Sequence, residues 1–354
     1  MYRILSINPG STSTKIALYE NDKEVTTEVL RHKDEELSKY KRIQDQYKFR
    51  EKVVLDFLKK NNYDINKLDA VVGRGGILPP IKAGAYKVNE KMVDYLKNRP
   101  RVEHASNLAA IIAYDISKKV NVPAYIYDSI AVYELEPVAE VTGIPEVKRD
   151  ALVHTLNMRA SAIKAAANLN KKYEDCRLVV VHLGGGITLS VHKNGKMVDV
   201  ISDDEGPFSP ERSGGLPGRG LLGMCFSGEY DKKDITKRMR SNGGLKAYLN
   251  TKDLIEVEKM VDSGNDKAKL IFEAMAYQIS KGIGEMATVL KGDLDGIVLT
   301  GGMAYSDQLV DLIKDRVEFI DSLIVMPGEN EMESLTLGAL RVLRGEETVS
   351  EFDF

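Results

Sequence analysis

In the middle of the chain a continuous apolar run precedes three adjacent glycines, and an alternation of apolar and polar residues follows them. A β-branched run at 179–181 leads into the glycine triplet at 184–186, apolar and polar residues then alternate over 187–191, and Asn194-Gly195 follows. This pattern predicts a strand, a tight glycine corner, a second strand, a hairpin turn and a third strand. Adjacent glycines leave their backbone N–H groups free to meet an anion at close range, so a polyphosphate is the expected ligand.

A similar pattern occurs at the N-terminus. Residues 3–7 predict a strand that leads into the polar loop 8–13, and residues 15–19 predict a second strand that turns at Asn21-Asp22. The spacing from strand start to loop is the same in the two segments, and the spacing from loop to turn differs by one residue. Although two hairpins can match by chance, a third strand-to-glycine corner at 296–302 favours an internal duplication.

The remaining pattern predicts an α/β protein with two domains. Residues 22–62 are highly charged and mostly helical in character, and helices are also predicted over 103–118, 151–170, most of 230–292 and 335–343. A length of 354 residues suggests about two domains. We place the boundary before the alanine-rich helix. The predicted domains are 1–148, closed by the C-terminal helix 334–354, and 149–333.

Composition narrows the function classes. A net charge of -3 and an isoelectric point near 6.1 leave no basic surface for nucleic acid or an anionic membrane. The start of the chain is strand-like rather than a signal peptide, and no apolar run is long enough for a bilayer. The two cysteines, Cys176 and Cys225, are far apart and have no metal-like spacing. A cytoplasmic protein is expected.

Three polar features follow predicted strands or strand pairs. Arg74 lies between glycines after the strand at 68–72, where it can meet an anion with a fixed fork, although a solvated arginine in a structural turn is an equal alternative. Asp128 ends the strand at 124–127, where open α/β sheets place their sites. The loop 203–220 is rich in glycine and proline and contains Arg212, and long irregular loops of this kind tend to be functional.

These features together resemble the acetokinase family, within the superfamily of acetate and sugar kinases, Hsp70 and actin. The most specific segments are NPGSTSTK at 8–15, HLGGG at 182–186 and TGG at 300–302. The resemblance covers essentially the whole chain. It implies two duplicated actin-like (ribonuclease H-like) domains with a nucleotide cleft between them, ATP or ADP with Mg²⁺ as cofactor, and a homodimer or higher homo-oligomer. Within the family, the resemblance is closest to members that act on butyrate.

The resemblance also implies roles for individual residues. The implied catalytic residues are Arg74, Asp128, His182 and Arg212. The implied phosphate and nucleotide contacts are Asn8, Ser11, Ser13, Lys15, Gly184, Gly185, Gly186, Gly301 and Gly302. The implied Mg²⁺ residues are Asn8 and Glu331, with Glu333 as an alternative to the latter. His182 is compatible with either a neutral or a charged role. His104 taken alone suggests a helix cap, but it matches a second histidine that the family has near its substrate.

The substrate is expected to be a short-chain carboxylate. Acetate kinases usually have an aliphatic pair and then His-Gly-Gly after this arginine, whereas Arg74 is followed directly by Gly75 and Gly76. We interpret the missing side chains as room for a longer acyl tail, in a pocket formed by Gly76, Ile77, His104 and Phe208. The expected reaction is butyrate and ATP to butyryl phosphate and ADP, in either direction. Isobutyrate, acetate and propionate are alternatives, and a sugar kinase or a non-catalytic actin-like or Hsp70-like ATPase is a more distant one.

Overall fold

The computed structural model describes residues 1–354, which form two compact units. Unit 1 contains Met1–Tyr133 and Asn330–Phe354, and unit 2 contains Glu134–Glu329. Residues 134–148, which the sequence prediction assigned to the first domain, lie in unit 2, and residues 330–333, assigned to the second domain, lie in unit 1. The Glu136 backbone N–H donates to the Val198 carbonyl at 2.8 Å, and the Glu136 carboxylate pairs with Lys193 at 3.1 Å.

The chain contains twelve strands and twelve α-helices. The strands are β1 (Arg3–Pro9), β2 (Ser13–Glu20), β3 (Lys23–Arg31), β4 (Ala70–Arg74), β5 (Ala85–Lys87), β6 (Ala124–Tyr127), β7 (Arg177–Leu183), β8 (Ile187–Lys193), β9 (Lys196–Ile201), β10 (Gly296–Gly301), β11 (Leu323–Pro327) and β12 (Ser350–Glu351). The helices are α1 (Asp34–Leu37), α2 (Tyr47–Lys60), α3 (Glu90–Asn98), α4 (Asn107–Val120), α5 (Thr155–Asn168), α6 (Gly218–Phe226), α7 (Lys232–Arg240), α8 (Gly244–Leu249), α9 (Leu254–Asp262), α10 (Asp266–Val289), α11 (Asp307–Val317) and α12 (Glu331–Leu343). Short 3₁₀ turns occur at Ile43–Gln46, Ile65–Lys67, Pro137–Glu140, Tyr173–Asp175 and Gly302–Tyr305.

The two sheets share a common five-stranded topology, to which unit 1 adds β5 and β12, and this shared part confirms the predicted duplication. Unit 1 has the strand order β12-β5-β6-β4-β1-β2-β3, and unit 2 has the order β11-β10-β7-β8-β9. Each unit has a three-stranded antiparallel meander, β1-β2-β3 in unit 1 and β7-β8-β9 in unit 2. The first strand of each meander continues into a parallel series, β1-β4-β6 in unit 1 and β7-β10-β11 in unit 2. Each meander also has a register shift between its second and third strands. The carboxyl ends of the parallel strands therefore meet at one sheet edge in each unit.

The prediction that residues 22–62 are mostly helical is wrong for the first part of this segment. Residues 23–31 form strand β3 at the edge of the unit 1 sheet, and helix is limited there to α1 and α2. No side chain of β3 is fully buried, and charged residues occupy both of its faces. An edge strand of this kind lacks the apolar alternation that identifies a half-buried strand, and its charges protect the sheet edge from unwanted pairing.

Each unit has its own apolar core. In unit 1 the helices α2 and α4 pack their buried side chains, such as Phe57 and Ile112, against the central strands. In unit 2 the long helix α10 packs against β8, and its side chains Met275, Ile279, Ile283 and Met286 lie in the core. The side chain of Asn265 begins α10 by accepting a hydrogen bond from the Ala268 N–H. None of the helices combines the length and the apolar character needed to cross a membrane.

Candidate functional site

Unit 1 brings Asn8, Arg74 and Glu331 into direct contact. The Asn8 amide donates to Glu331 Oε2 at 2.5 Å, and Arg74 Nη1 donates to Glu331 Oε1 at 2.7 Å. Asn8 and Arg74 lie at the carboxyl ends of the parallel strands β1 and β4, whose register pairs Ile7 with Gly73. Glu331 begins helix α12, where the positive end of the helix dipole stabilises a carboxylate. Two residues at the carboxyl ends of strands and one at the start of a helix thus form a single polar cluster.

This cluster contains oxygen ligands suited to Mg²⁺. Asn8 offers an amide oxygen and Glu331 a carboxylate, and Mg²⁺ is usually held by one or two carboxylates, by water and by substrate phosphates. No group of three or more acidic, histidine or cysteine side chains forms a dedicated metal cage. Of the two glutamates considered from the sequence, Glu331 contacts both Asn8 and Arg74, whereas the charge of Glu333 acts on Tyr19.

The segment of residues 8–14, which we call loop 1, connects β1 to β2. Ser11 and Thr12 are exposed at its tip and Ser13 is half-buried. Lys15 lies directly across the hairpin from Asn8 in the β1–β2 register. Loop 1 therefore presents short polar side chains and backbone at the same strand end as Asn8 and Glu331.

Asp128 and His104 also lie in unit 1, and each forms a hydrogen bond within that unit. Asp128 follows β6, is 2% exposed and has a φ of 40°, and its Oδ1 accepts from the Gly84 N–H at 2.8 Å. A positive φ is uncommon outside glycine and favours asparagine or aspartate. His104 Nδ1 lies 2.7 Å from Ser106 Oγ, and partial burial of the ring together with the positive charge of Arg74 lowers the pKa of His104. His104 therefore lies within electrostatic reach of the Arg74 cluster.

The predicted acyl pocket beside Arg74 disagrees with the packing. A Cβ on Gly76 would lie 2.5 Å from Asn107 Oδ1 and 2.8 Å from Asn107 Cα, and a Cβ on Gly75 would lie 2.4 Å from Ser129 Cβ. These glycines let the chain pack closely against α4 and the segment after β6, so the prediction that they leave room for an acyl tail is wrong. Ile77 is half-buried, and its N–H donates to Asn107 Oδ1 at 2.8 Å.

Phe208 is likewise part of a core rather than of an open pocket. Its side chain is 7% exposed, belongs to the apolar core of unit 2 and lies 6.4 Å from the Tyr248 ring. The sequence analysis placed Phe208 in the acyl pocket as an apolar lining residue. The glycine- and proline-rich loop that contains it, however, folds back on its own unit, where the ring is buried.

In unit 2, His182 ends a buried strand and is held by Asn157 of helix α5. His182 is 2% exposed, and its Nδ1 lies 2.7 Å from Asn157 Oδ1. The Asn157 amide nitrogen donates to the carbonyls of Glu329 at 2.8 Å and Gly328 at 3.3 Å. Because that nitrogen is engaged as a donor, the Asn157 oxygen faces His182 and accepts, which places the proton on Nδ1. Nε2 therefore donates a hydrogen bond only when the ring is positively charged.

A second imidazole, His154, stacks on His182. The two ring centroids are 3.9 Å apart with planes 13° from parallel, and His154 Nδ1 lies 3.0 Å from Thr188 Oγ1. Sequence reasoning identified neither His154 nor Asn157. Both precede or begin a helix some 25 residues before His182, and nothing in their local pattern indicates this contact.

The glycine triplet packs directly against Arg212. A Cβ on Gly186 would lie 2.8 Å from Arg212 Nη1, and one on Gly184 would lie 2.7 Å from His182 Nε2. Ser209 Oγ donates to the Gly185 carbonyl at 2.6 Å, which ties the irregular loop that contains Arg212 to the triplet. The triplet therefore brings His182 and Arg212 to one corner.

Arg212 itself is partly committed within unit 2. It forms an ion pair with Asp203, and its buried Nε has no hydrogen-bond partner. Burial and the charge of Arg240 lower its pKa. A guanidinium beside three glycines has planar N–H donors that can bind an anion.

The last predicted glycines have different surroundings. Gly301 has a φ of 93°, and a Cβ there would lie 2.4 Å from the Leu183 carbonyl oxygen, so only glycine fits. Gly302 begins a short 3₁₀ turn and has open space where a Cβ would point. Gly301 thus allows β10 to approach the glycine corner closely, while Gly302 leaves the neighbouring surface open.

Comparison with known proteins gives the same family. The acetokinase family model matches residues 149–330. The fold is similar to that of an acetate kinase from Porphyromonas gingivalis, with a TM-score of 0.79 and 19% identity over 97% of this chain and 100% of that chain. It is also similar to a propionate kinase from Francisella tularensis subsp. tularensis SCHU S4, with a TM-score of 0.76 and 17% identity over 96% of this chain and 99% of that chain. A more distant likeness, to a ROK family protein from Streptococcus pneumoniae TIGR4, has a TM-score of 0.52 and 12% identity over 98% of this chain and 100% of that chain.

These likenesses establish the actin-like fold shared by acetate kinases and ROK sugar kinases, in agreement with the duplicated sheets. The family match spans just over half of the chain. The protein belongs to the acetokinase family.

Proposed function

We propose that this protein is a carboxylate kinase that transfers the γ-phosphoryl group of ATP to a short-chain acid, with butyrate as its best substrate. The observation that carries this proposal is the contact of Arg74 and Asn8 with Glu331 at the ends of two parallel strands. This cluster combines a cation for a carboxylate with oxygen ligands for a metal. Membership of the acetokinase family supports ATP and a divalent metal as its partners.

The chemistry needs no general base and no covalent enzyme intermediate. A carboxylate with an ordinary pKa of about 4 is already ionised near neutral pH. Its oxygen attacks the γ-phosphorus, the bond from that phosphorus to the β–γ bridging oxygen breaks, and ADP leaves with the electron pair. The protein aligns the reactants and stabilises the charge of a loose phosphoryl transition state.

The residues divide this work by their chemistry. Arg74 binds the carboxylate of the acid, and Arg212 binds the phosphoryl group through its planar fork of N–H donors. Asn8 and Glu331 would hold a Mg²⁺ ion, which would neutralise phosphate charge. The N–H groups of loop 1 and of the glycine triplet bind phosphate oxygens. Asp128 holds the Gly84 turn beside this site.

His182 acts in this proposal as an imidazolium. Its Nδ1–H is committed to Asn157, so its Nε2 donates to a phosphoryl oxygen only in the charged form. Gly184 leaves Nε2 uncovered by a side chain at that point. A positive charge at this position stabilises the transferred group more than a neutral ring would.

Acetate or propionate is the second candidate substrate. The close packing of Gly75 and Gly76 removes the specific reason for a pocket larger than that of an acetate kinase. Butyrate then rests on the resemblance of the sequence motifs. Two additional buried CH₂ groups are worth about 1.6 kcal/mol, which corresponds to a preference of roughly tenfold between butyrate and acetate.

Hydroxylamine trapping of the acyl phosphate tests both the carboxylate kinase activity and the preference for butyrate. We expect Mg-ATP-dependent hydroxamate formation with butyrate, isobutyrate, propionate and acetate, with the highest kcat/KM for butyrate, and no phosphorylation of a panel of sugars. Arg74→Ala should abolish the signal, whereas Arg42→Ala, which removes an exposed ion pair with Glu103, should not. A preference for acetate would make the protein an acetate kinase. Phosphorylation of sugars without hydroxamate would refute a carboxylate kinase.

A further inference from the structure

Loop 1 is held from behind by a buried arginine. Arg50, on helix α2, is fully buried, and its Nη1 donates to the carbonyls of Gly10 at 2.7 Å and Ser13 at 2.8 Å. Its Nη2 donates to the Ser11 carbonyl at 3.0 Å. The remaining N–H groups, one on Nε and one on Nη2, donate to Gln46 Oε1 at 3.1 and 2.9 Å. All five donors of the guanidinium are therefore used, three of them on the loop backbone.

The fourth carbonyl of the loop is held in the same direction. The Thr12 carbonyl accepts from the His32 N–H at 2.9 Å, and the His32 ring lies 2.8 Å from Thr14 Oγ1. The carbonyls of residues 10–12 are thus drawn toward α2 and the end of β3, whereas the Ser13 carbonyl accepts both from Arg50 and from the Gly10 N–H, the latter at 2.8 Å. Successive N–H groups in a loop whose carbonyls are turned away form a concave receptor for an anion.

The charge of Arg50 is not balanced by a carboxylate. Every acceptor around its guanidinium is a neutral oxygen, and the nearby carboxylate of Glu51 pairs instead with Lys48 and Lys119. Burial lowers the pKa of Arg50 to about 10, so it remains charged at neutral pH. Burying a cation without an opposite charge costs free energy, and a bound anion on the far side of the loop recovers part of it.

We propose that Arg50 is a positioning residue for phosphate binding: it turns the carbonyls of loop 1 inward, and its unneutralised charge attracts the phosphoryl group to the outer face of the loop. The role assigned to loop 1 rests on the proposed function, but Arg50 and the loop geometry do not. If Arg50 were purely structural, a carboxylate partner would only stabilise the fold. If Arg50 serves anion binding, the same carboxylate would weaken the binding of the anion.

Gln46→Glu separates these two roles. The substitution keeps the size of the side chain and the oxygen that accepts from Arg50, and it adds one negative charge beside the guanidinium. We expect the melting temperature to stay the same or rise, because a neutral contact becomes an ion pair. We expect inorganic phosphate, titrated into the full-length protein by calorimetry, to bind about tenfold more weakly. The matched control is Asn121→Asp, which makes the same amide-to-carboxylate change at an exposed position of unit 1.

Arg50→Lys is the second variant, because it keeps the charge but not the fork. We expect it to fold, to bind phosphate several-fold more weakly, and to exchange the backbone amides of residues 11–13 with solvent faster than the wild type. Phosphate affinity within twofold of the wild type in both variants would overturn the proposal, as would equal weakening in Asn121→Asp. Phosphate binding is read without any acid substrate, so a protein that binds phosphate but forms no acyl phosphate would refute the proposed function and leave Arg50 unaffected.

Discussion

Replacing Asn157 with alanine should lower turnover without unfolding the protein. Asn157 is the hydrogen-bond acceptor for His182 Nδ1 at 2.7 Å, and both side chains are at least 95% buried. The substitution leaves a buried N–H without this acceptor, which costs about 1–3 kcal/mol. The ring can avoid that cost by moving its proton to Nε2 or by rotating on His154, and both changes remove it from its active geometry.

If the conformation with His182 in its active position is destabilised by this cost of about 1–3 kcal/mol, kcat should fall by a factor on the order of 5 to 150. The KM for Mg-ATP should change little, because the glycine triplet remains intact. The assay is the rate of hydroxamate formation with saturating butyrate over a range of pH. Since Asn157 fixes which nitrogen holds the proton, the pH profile of the variant should change shape as well as height.

Ser161→Ala is the matched control on the same helix. Ser161 is also buried and donates to Thr300 Oγ1 at 3.1 Å, a hydrogen bond that does not involve His182. We expect this variant to lose a similar amount of thermal stability while keeping its turnover. Wild-type kcat in Asn157→Ala, or an equal loss of kcat in Ser161→Ala, would refute the role of Asn157 in positioning His182.

Three further outcomes are expected. Arg212→Ala should reduce kcat by on the order of 10² to 10⁴, and Arg212→Lys should restore only part of it, because lysine lacks the planar fork; near-normal turnover would remove Arg212 from the mechanism. Gly76→Ala should lower the free energy of unfolding by about 1–3 kcal/mol through overpacking against Asn107, and the surviving enzyme should lose butyrate and acetate activity equally, whereas a selective loss on butyrate would restore the tail-pocket interpretation. Full burial lowers the pKa of His192 to about 3, so as the pH drops below about 6.5 the unfolded chain binds a proton that the folded protein does not. The free energy of unfolding should therefore fall, by about 2 kcal/mol at pH 5. A His192→Gln variant that is equally acid-sensitive would contradict this expectation.

Most of the fold could be predicted because its signals are local. The glycine triplet, the alternation after it and the Asn-Gly turn lie within one stretch of chain, and the same pattern in residues 3–22 identifies the duplicated sheet. Strand β3 was missed because its stabilising contacts are backbone hydrogen bonds to β2, whereas its side chains carry charge on both faces. A sequence pattern reports side-chain burial, and an edge strand has little of it.

The candidate site was predictable in part for the same reason. Asn8, Arg74 and His182 each lie at the carboxyl end of a strand, and that position can be read from the sequence. Gly76 was misread because a glycine required by close packing and a glycine beside an empty pocket look identical in sequence. Asn157 and Arg50 were missed because their contacts with His182 and loop 1 depend on how helices pack against the sheets. Long-range packing of this kind has no local signature.

The most direct test of the central claim is the fate of oxygen in the acid substrate. Butyrate labelled with ¹⁸O at both carboxylate positions is incubated with Mg-ATP and the enzyme, and the product is followed by ³¹P NMR. Direct attack of the carboxylate on the γ-phosphorus predicts butyryl phosphate whose phosphorus carries one ¹⁸O in the bridge to the acyl group. Its ³¹P signal is displaced by the isotope, and the intensity of this displaced signal should grow with ADP formation. An acyl phosphate whose phosphorus carries no ¹⁸O, or ATP consumption with no acyl phosphate, would contradict the account.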